Sequence, residues 1–163
     1  MENLLSKIQS KFSAEILKTN KNEIWIKIED KDLLNISISV KESNFEFFSS
    51  LSAIDFPEKN RIELVYHIWN EKDKVLLNIK TEIEREKPKI TSISEIYACS
   101  QIHEREVHEL FGIKFLGNPD LSELFLEDWQ ERPPFLKDFD SQNYVRENFY
   151  NKNKKSEKNY FGQ

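Results

Sequence analysis

Ionisable residues are concentrated between positions 103 and 108, where the chain reads His103-Glu104-Arg105-Glu106-Val107-His108. Two histidines on one helix bind zinc when they are four residues apart, because both rings then leave the same face. Here they are five residues apart, which turns the second ring by about 140° around the helix axis. The run therefore does not predict a zinc site.

The two glutamates of this run, Glu104 and Glu106, are candidates for general acid–base chemistry or proton movement. In a helix, carboxylates two residues apart point in different directions. No nucleophile accompanies them, and the three glycines, Gly112, Gly117 and Gly162, cannot build a phosphate-binding loop. A charged helix face is the favoured interpretation, because exposed ion pairs contribute little. Ion pairs across an interface are the alternative.

Two further side chains could carry chemistry, the single cysteine and one strand histidine. Cys99 is alone, which excludes an internal disulfide and a thiolate-rich metal or iron–sulfur site. We expect it to be a small buried residue. His67 lies opposite the apolar face of a predicted strand, so we expect an exposed or half-buried ring and not a ligand.

Composition narrows the class of protein. The chain has 163 residues, which fits one domain with an appended arm. Its net charge of -5 and pI near 5.4 argue against a general nucleic-acid binder. It has no run of 18 apolar residues, and residues 1–13 lack the apolar part of a secretory leader. We therefore expect a protein that lies in the cytoplasm or faces it.

Hydrophobic periodicity predicts the elements that position these residues. A spacing of three to four predicts an amphipathic helix over residues 2–18. Residues 24–28 predict a short strand. Residues 61–69 and 75–83 alternate apolar and polar side chains across a polar turn, which is typical of an antiparallel pair. Residues 34–40 also alternate, so local evidence favours a strand there.

The segment that carries the ionisable run is predicted to be a helix. Ser92 or Ser94 would cap its start, and its apolar residues run from Ile96 to Phe111. Gly112 would end it in the left-handed conformation that suits glycine.

Beyond Gly117 the character of the chain changes. Residues 116–141 contain seven acidic and two basic residues, whereas residues 142–163 carry a net charge of +3. Prolines separate isolated clusters of apolar and aromatic residues, and such a segment cannot form a compact unit alone. We therefore expect an extended arm that binds another surface, with a frayed polar end over residues 151–163.

Read as a whole, the last third of the chain resembles a known family. Residues 104–113 read EREVHELFGI and residues 117–121 read GNPDL, and the runs LEDW at 126–129 and PPFLKDF at 133–139 follow in order. These motifs are similar to those of the C subunit of respiratory complex I, the NADH:quinone oxidoreductase. They are also similar to the related subunits of membrane-bound energy-converting nickel–iron hydrogenases.

The resemblance extends upstream but is not complete. Residues 51–55, LSAID, and 64–67, LVYH, are weaker matches, and the likeness covers roughly residues 4–140. Asn118 stands where the quinone reductases usually have His, Leu136 where they have Arg, and Ser122-Glu123 where many have Arg-Arg. The branch of the family therefore stays open.

For the fold, the resemblance implies an α+β domain over residues 1–115. It would have a small mixed or antiparallel sheet flanked by helices. The arm would be residues 116–163, wrapping partner subunits. The family pattern also places a helix near residues 31–42, against the local strand pattern, and we follow the family there because tertiary context overrides short-range preference.

For function, the resemblance implies a structural member of the complex that has no cofactor of its own and does not itself hold the catalytic site. Iron–sulfur clusters, and a flavin or nickel–iron (NiFe) site, would belong to its partners. Those partners are the large hydrogenase-like subunit (the D subunit or its equivalent) and the iron–sulfur subunits. The complex would lie on the cytoplasmic side of the membrane, and the chain would touch the membrane only through it.

The resemblance and the aromatic clusters together predict a set of partner-binding residues. Trp129, Phe135 and Phe139 would enter partner pockets, and Lys137 and Asp138 would form ion pairs across the interface. The full predicted set is Glu104, Arg105, Glu106, Phe111, Pro119, Asp128, Trp129, Pro133, Pro134, Phe135, Lys137, Asp138 and Phe139. A stand-alone binding module remains an alternative function.

Overall fold

The computed structural model describes residues 2–150, which contain both helices and strands. The helices are α1 (Glu2–Lys11), α2 (Leu33–Glu42), α3 (Ser100–Phe111) and α4 (Ser141–Val145), with a π-helix at Arg146–Tyr150. The strands are β1 (Glu15–Thr19), β2 (Glu23–Lys27), β3 (Phe47–Phe56), β4 (Arg61–Asn70), β5 (Val75–Glu84), β6 (Lys89–Thr91) and β7 (Lys114–Leu116). Two short 3-10 helices lie at Asp30–Asp32 and Pro57–Lys59.

Five strands form one mixed sheet in the order β1-β2-β5-β4-β3. Strands β2 and β5 are parallel, and the other neighbours are antiparallel. The β4–β5 hairpin confirms the predicted antiparallel pair. Alternate residues of β4, among them Ile62, Leu64 and Ile68, are fully buried because the pleat points them to one face. The α+β class and the mixed sheet are therefore as expected.

The sequence of α2 allows two interpretations, a strand from local alternation and a helix from the family pattern. The structure has the helix, so the strand prediction is wrong. Ile36 and Val40 are buried one helical turn apart, whereas Ile38 between them is 42% exposed. A helix puts residues four apart on the same face, so the pattern that resembled alternation is also a helical stripe. Together with Ile8 of α1, these residues pack in the core, and burial decides between the two structures.

The first helix is shorter than expected. It ends at Lys11, and residues 15–19 form the edge strand β1. Ile16 pairs with Ile26 of β2, so it reaches the core from a strand. A spacing of four between Phe12 and Ile16 suited a helix, but pairing along β2 satisfies the backbone of this segment instead.

The third helix begins later than expected and ends where expected. Cys99 precedes its first residue, and Ser92 and Ser94 lie well before it, so neither serine caps it. Cys99 is exposed, which corrects the expected burial. Gly112 closes the helix with φ of 75° and donates its N–H to the His108 carbonyl at 2.8 Å. His67 is half-buried, as expected.

Of the predicted extended arm at 116–163, residues 117–140 contain neither helix nor strand. Leu116 instead ends β7 and residues 141–150 are helical, so the prediction of an extended chain is wrong for these residues. We call residues 117–140 the arm. The expected frayed end, 151–163, lies outside the described residues. Over residues 2–150, no helix is both long and apolar enough to cross a membrane.

Candidate functional site

The motif helix α3 holds the arm through the backbone of residues 122–126. The Nε atom of Arg105 donates to the carbonyl of Ser122 at 2.6 Å, and its guanidinium also donates to the carbonyl of Glu123. A third contact joins Arg105 Nη1 to Asp120 Oδ2 at 3.1 Å. Arg105 was predicted to contact a partner, but these donors are directed to its own chain.

One helical turn further on, Glu109 binds the backbone N–H groups of the same segment. Its carboxylate accepts N–H groups from Leu124 at 2.8 Å, Phe125 at 3.0 Å and Leu126 at 3.1 Å. Burial alone would raise the pKa of this carboxyl. The three N–H groups and the charge of Arg105 outweigh burial and hold the pKa below its ordinary value. We call Arg105 and Glu109 the helix clamp.

The first glutamate of the motif, Glu104, faces the interior. Its side chain is fully buried. It accepts hydrogen bonds from Ser92 Oγ at 2.6 Å, the backbone N–H of Ile93 at 2.9 Å and Asn118 Nδ2 at 2.8 Å. Burial raises the pKa of Glu104, and these hydrogen bonds offset part of the rise. The expected charged helix face is therefore wrong for this residue, which instead joins α3 to the start of the arm.

A second attachment lies at the other end of the arm. The guanidinium of Arg85 binds Asp55 through two hydrogen bonds, of 2.7 and 3.0 Å, and Asp138 at 2.7 Å. Asp55 also accepts the backbone N–H of Lys137 at 2.9 Å. Burial favours the neutral form of Asp55, yet these partners hold its pKa below the ordinary value. We call Asp55, Arg85 and Asp138 the arm latch.

The latch changes the interpretation of Lys137 and Asp138, which were expected to pair with a partner subunit. Asp138 is paired inside the chain with Arg85 and, at 2.8 Å, with Arg132. The ammonium of Lys137 lies 5.6 Å from the ring centroid of Phe56. The expectation that the arm settles only against foreign subunits is therefore wrong for the residues that the clamp and latch hold.

The aromatic side chains of the arm divide into two groups. Trp129 packs on Phe139, with ring centroids 5.7 Å apart, and on Tyr144 at 4.8 Å. Phe135 meets the edge of Phe111 at 5.6 Å, yet 57% of Phe135 stays exposed. Phe125 is 64% exposed. The clamp and latch therefore hold apolar side chains at the surface.

The remaining predicted residues belong to neither the clamp nor the latch. Glu106 is half-buried, with an oxygen 4.0 Å from His103 Nδ1. Pro119 and Asp128 are exposed, and Pro133 and Pro134 are half-buried. Pro133 lies against Gly112 where the arm crosses the end of α3. The described residues contain no group of three or more His, Cys, Asp or Glu that could hold a metal ion.

Sequence reasoning missed Glu109, Asn118 and Arg85 as site residues. Glu109 could have been found, since it follows Arg105 by four residues and must share its face. Asp55 had a signal too, because it belongs to the weaker motif at 51–55 and is an acid in an apolar strand. Arg85 had none, because its partners are 30 and 53 residues away.

Comparison with known proteins identifies the family of the chain. The family model described as "Respiratory-chain NADH dehydrogenase, 30 Kd subunit" matches residues 26–145. The C subunit of the NADH-quinone oxidoreductase of Moorella thermoacetica is 29% identical over 140 residues, covering 85% of this chain and 95% of that protein. The C subunit of the F(420)H(2) dehydrogenase of Methanosarcina mazei is 35% identical over 97 residues, covering 59% of this chain and 61% of that protein.

Among solved structures, a chain of the membrane-bound sulfane sulfur reductase, an archaeal respiratory membrane complex, superimposes with a TM-score of 0.81. The two are 28% identical, and the match covers 91% of each chain. Because the family model spans most of the chain, this chain belongs to the family of the 30 Kd subunit of respiratory-chain NADH dehydrogenase.

Proposed function

We propose that this chain is a structural subunit, without a cofactor of its own, in the hydrophilic part of a membrane-bound NADH:quinone oxidoreductase. It docks on the large hydrogenase-like subunit. The observation that carries the proposal is the arm, which the helix clamp and the arm latch hold on the domain while Phe125 and Phe135 remain exposed. Exposed aromatic side chains on an ordered backbone are typical anchors of protein interfaces.

The clamp gives this docking a physical advantage. A free arm would lose conformational freedom on binding, and that loss would weaken association. Here Arg105 and Glu109 order residues 122–126 before a partner arrives. The role of this chain is then to position the partner subunits. Electron transfer takes place in those partners, through iron–sulfur clusters and a flavin or nickel–iron site.

A second candidate is the equivalent subunit of a related complex with another electron donor or acceptor, such as an energy-converting hydrogenase. The observation that favours it is the 0.81 TM-score to a sulfane sulfur reductase chain over 91% of each chain. Purification of the complex from its natural host decides between the two. NADH-dependent quinone reduction supports the first candidate, whereas hydrogen or sulfur turnover without it supports the second.

The docking proposal is tested by assembly of the complex. We expect Trp129→Ala to lower the amount of assembled complex on a native gel, because it removes the aromatic ring on which Phe139 and Tyr144 pack. Arg105→Ala is expected to do the same by freeing the arm. Lys72→Ala, in the exposed β4–β5 turn, is the matched control. Normal assembly of both arm variants would contradict the proposed interface.

Two simpler measurements address the setting of the chain in the cell. Size exclusion of native extract should place the chain in a large complex, and a sole species of the monomer's size would favour the stand-alone binding module. In sealed inverted membrane vesicles, a protease added outside should digest the chain if the complex faces the cytoplasm. Protection in those vesicles together with digestion in right-side-out vesicles would contradict that side.

A further inference from the structure

A groove lies between the end of α3 and the arm. Its volume is about 240 Å³. That is below the roughly 300–1,000 Å³ of pockets that take drug-sized ligands, so the groove suits a single side chain. Its apolar walls come from Leu121, Leu126, Trp129 and Pro133. We call it the α3–arm groove.

The polar side chains that line this groove offer acceptors and no free donor among the described contacts. His108 Nδ1 lies 2.8 Å from the carbonyl of Ile113, which can only accept, so the Nε2 of the neutral ring is left as an acceptor. The hydroxyl of Ser122 donates to Asp120 at 2.6 Å. The indole N–H of Trp129 donates to the carbonyl of Arg132 at 3.1 Å.

Two carboxylates of the groove retain capacity for a partner. Glu123 accepts the Asp128 N–H through Oε2 at 3.3 Å, which leaves its other oxygen. Glu131 has no hydrogen bond or ion pair within residues 2–150, and it is exposed. Glu109 also lines the groove, but the clamp uses it. No Lys or Arg side chain lines the groove, and the carboxyl end of α3 at Gly112 adds partial negative charge.

We propose that the α3–arm groove receives the guanidinium of an arginine on the partner subunit. The inference rests on the proposed function, because it needs a partner on this surface. A guanidinium carries five donors and no acceptor, which complements an acceptor-only lining. Its flat face also stacks on aromatic rings, and Trp129 supplies one. Lysine fits less well, because the three donors of its ammonium group diverge from one atom and the group has no flat face to stack on a ring.

The test uses the assembled complex and a double variant of the two lining carboxylates that an arginine in the groove would cover, Glu123→Gln with Glu131→Gln. We expect this chain to leave the complex about tenfold faster or more, because losing one side of a desolvated charge pair costs at least the 1.4 kcal/mol that makes a factor of ten. Glu127→Gln is the matched control. It removes one negative charge, against two in the double variant, from an exposed residue of the arm that does not line the groove, and its dissociation rate should not change.

A photo-crosslinking amino acid at position 131 identifies the occupant. We expect an adduct with a partner peptide that contains arginine, and no such adduct from position 72. A complex that forms normally, yet dissociates at the control rate in the double variant or yields an adduct without arginine, overturns the groove assignment and leaves the proposed function intact. If the wild-type chain joins no complex at all, the proposed function itself fails.

Discussion

Arg105 and Glu109 lie one turn apart on α3. Arg105 binds backbone carbonyls of one arm segment, and Glu109 binds backbone N–H groups of the same segment. The arginine takes the carbonyls of residues 122 and 123, and the glutamate takes the N–H groups of residues 124–126. A peptide segment has donors and acceptors that must be satisfied when it is taken from water. Two side chains of opposite charge on one helix face satisfy both kinds and fix the direction of the arm.

Replacing Glu109 by Gln should loosen the arm without unfolding the sheet. A neutral amide accepts more weakly than a carboxylate, so we expect the amide protons of Leu124 and Leu126 to exchange about ten times faster. Hydrogen-exchange mass spectrometry measures this, with Glu127→Gln as the control of equal charge change. Unchanged protection of residues 124–126 would show that the carboxylate does not hold the arm.

The clamp should also respond to acid in a definite direction. Because the folded pKa of Glu109 is lowered, its contribution is present above the ordinary value of about 4.3 and is lost as the pH falls through the lowered value. Protection of residues 124–126, corrected for intrinsic exchange, should therefore fall in that range in the wild type and stay flat in Glu109→Gln.

Glu104 should behave in the opposite way, because burial raises its pKa. The native state then holds its proton more tightly, so stability falls as the pH rises from about 4.3 to the raised folded value. Glu104→Gln should remove this slope and unfold at nearly the wild-type denaturant concentration in acid. Glu104→Ala should cost about 2–4 kcal/mol in acid, since Ser92, Ile93 and Asn118 lose an acceptor in the interior. Because this variant also lacks the slope, its loss relative to the wild type should become smaller as the pH rises.

Neither glutamate is expected to take part in turnover. Glu104 is sealed from solvent, and Glu106 faces His103 at 4.0 Å. Glu104→Gln and Glu106→Gln should leave the turnover of a fully assembled complex within about twofold of the wild type, which is less than about 0.5 kcal/mol in barrier height. A large loss of turnover in a complex that assembles normally would instead support a role in proton movement.

Removing the guanidinium of the latch should be costly. Arg85→Ala leaves the carboxylate of Asp55, whose side chain is fully buried, without its charged partner. We expect a loss of about 3 kcal/mol in the free energy of unfolding, measured by urea denaturation. Lys74→Ala, which breaks only an exposed pair with Glu71, should change it by less than about 1 kcal/mol. Equal effects of the two variants would contradict a buried latch.

Gly112 tests the crossing of the arm over α3. A Cβ there would lie 2.8 Å from Pro133 Cγ, and the backbone has φ of +75°. Gly112→Ala should therefore cost about 1–2 kcal/mol from the left-handed backbone and also speed exchange of the Phe135 amide, which bonds to the Leu110 carbonyl at 3.0 Å. Gly117→Ala is the control, because its φ is +97° but its Cβ would have 4.0 Å of room. It should share the strain and leave Phe135 protected.

Local sequence patterns correctly predict the hairpin of β4 and β5, the end of α3 at Gly112 and the lack of helix and strand in residues 117–140. Each depends on neighbours within a few residues, on period-two alternation, a glycine or a proline. The helix α2 and the family were predicted from the resemblance of the motifs, whereas local alternation alone predicted a strand for α2.

Tertiary structure decided what the charged motif does. Glu104, Arg105 and Glu106 are three consecutive charged residues in the sequence. In the structure Glu104 is buried, Arg105 binds the arm and Glu106 is half-buried at the surface. The first two depend on contacts with residues 11 to 18 positions away, from Ile93 to Glu123. Burial and the pairing of backbone groups act through space, so no local pattern could assign them.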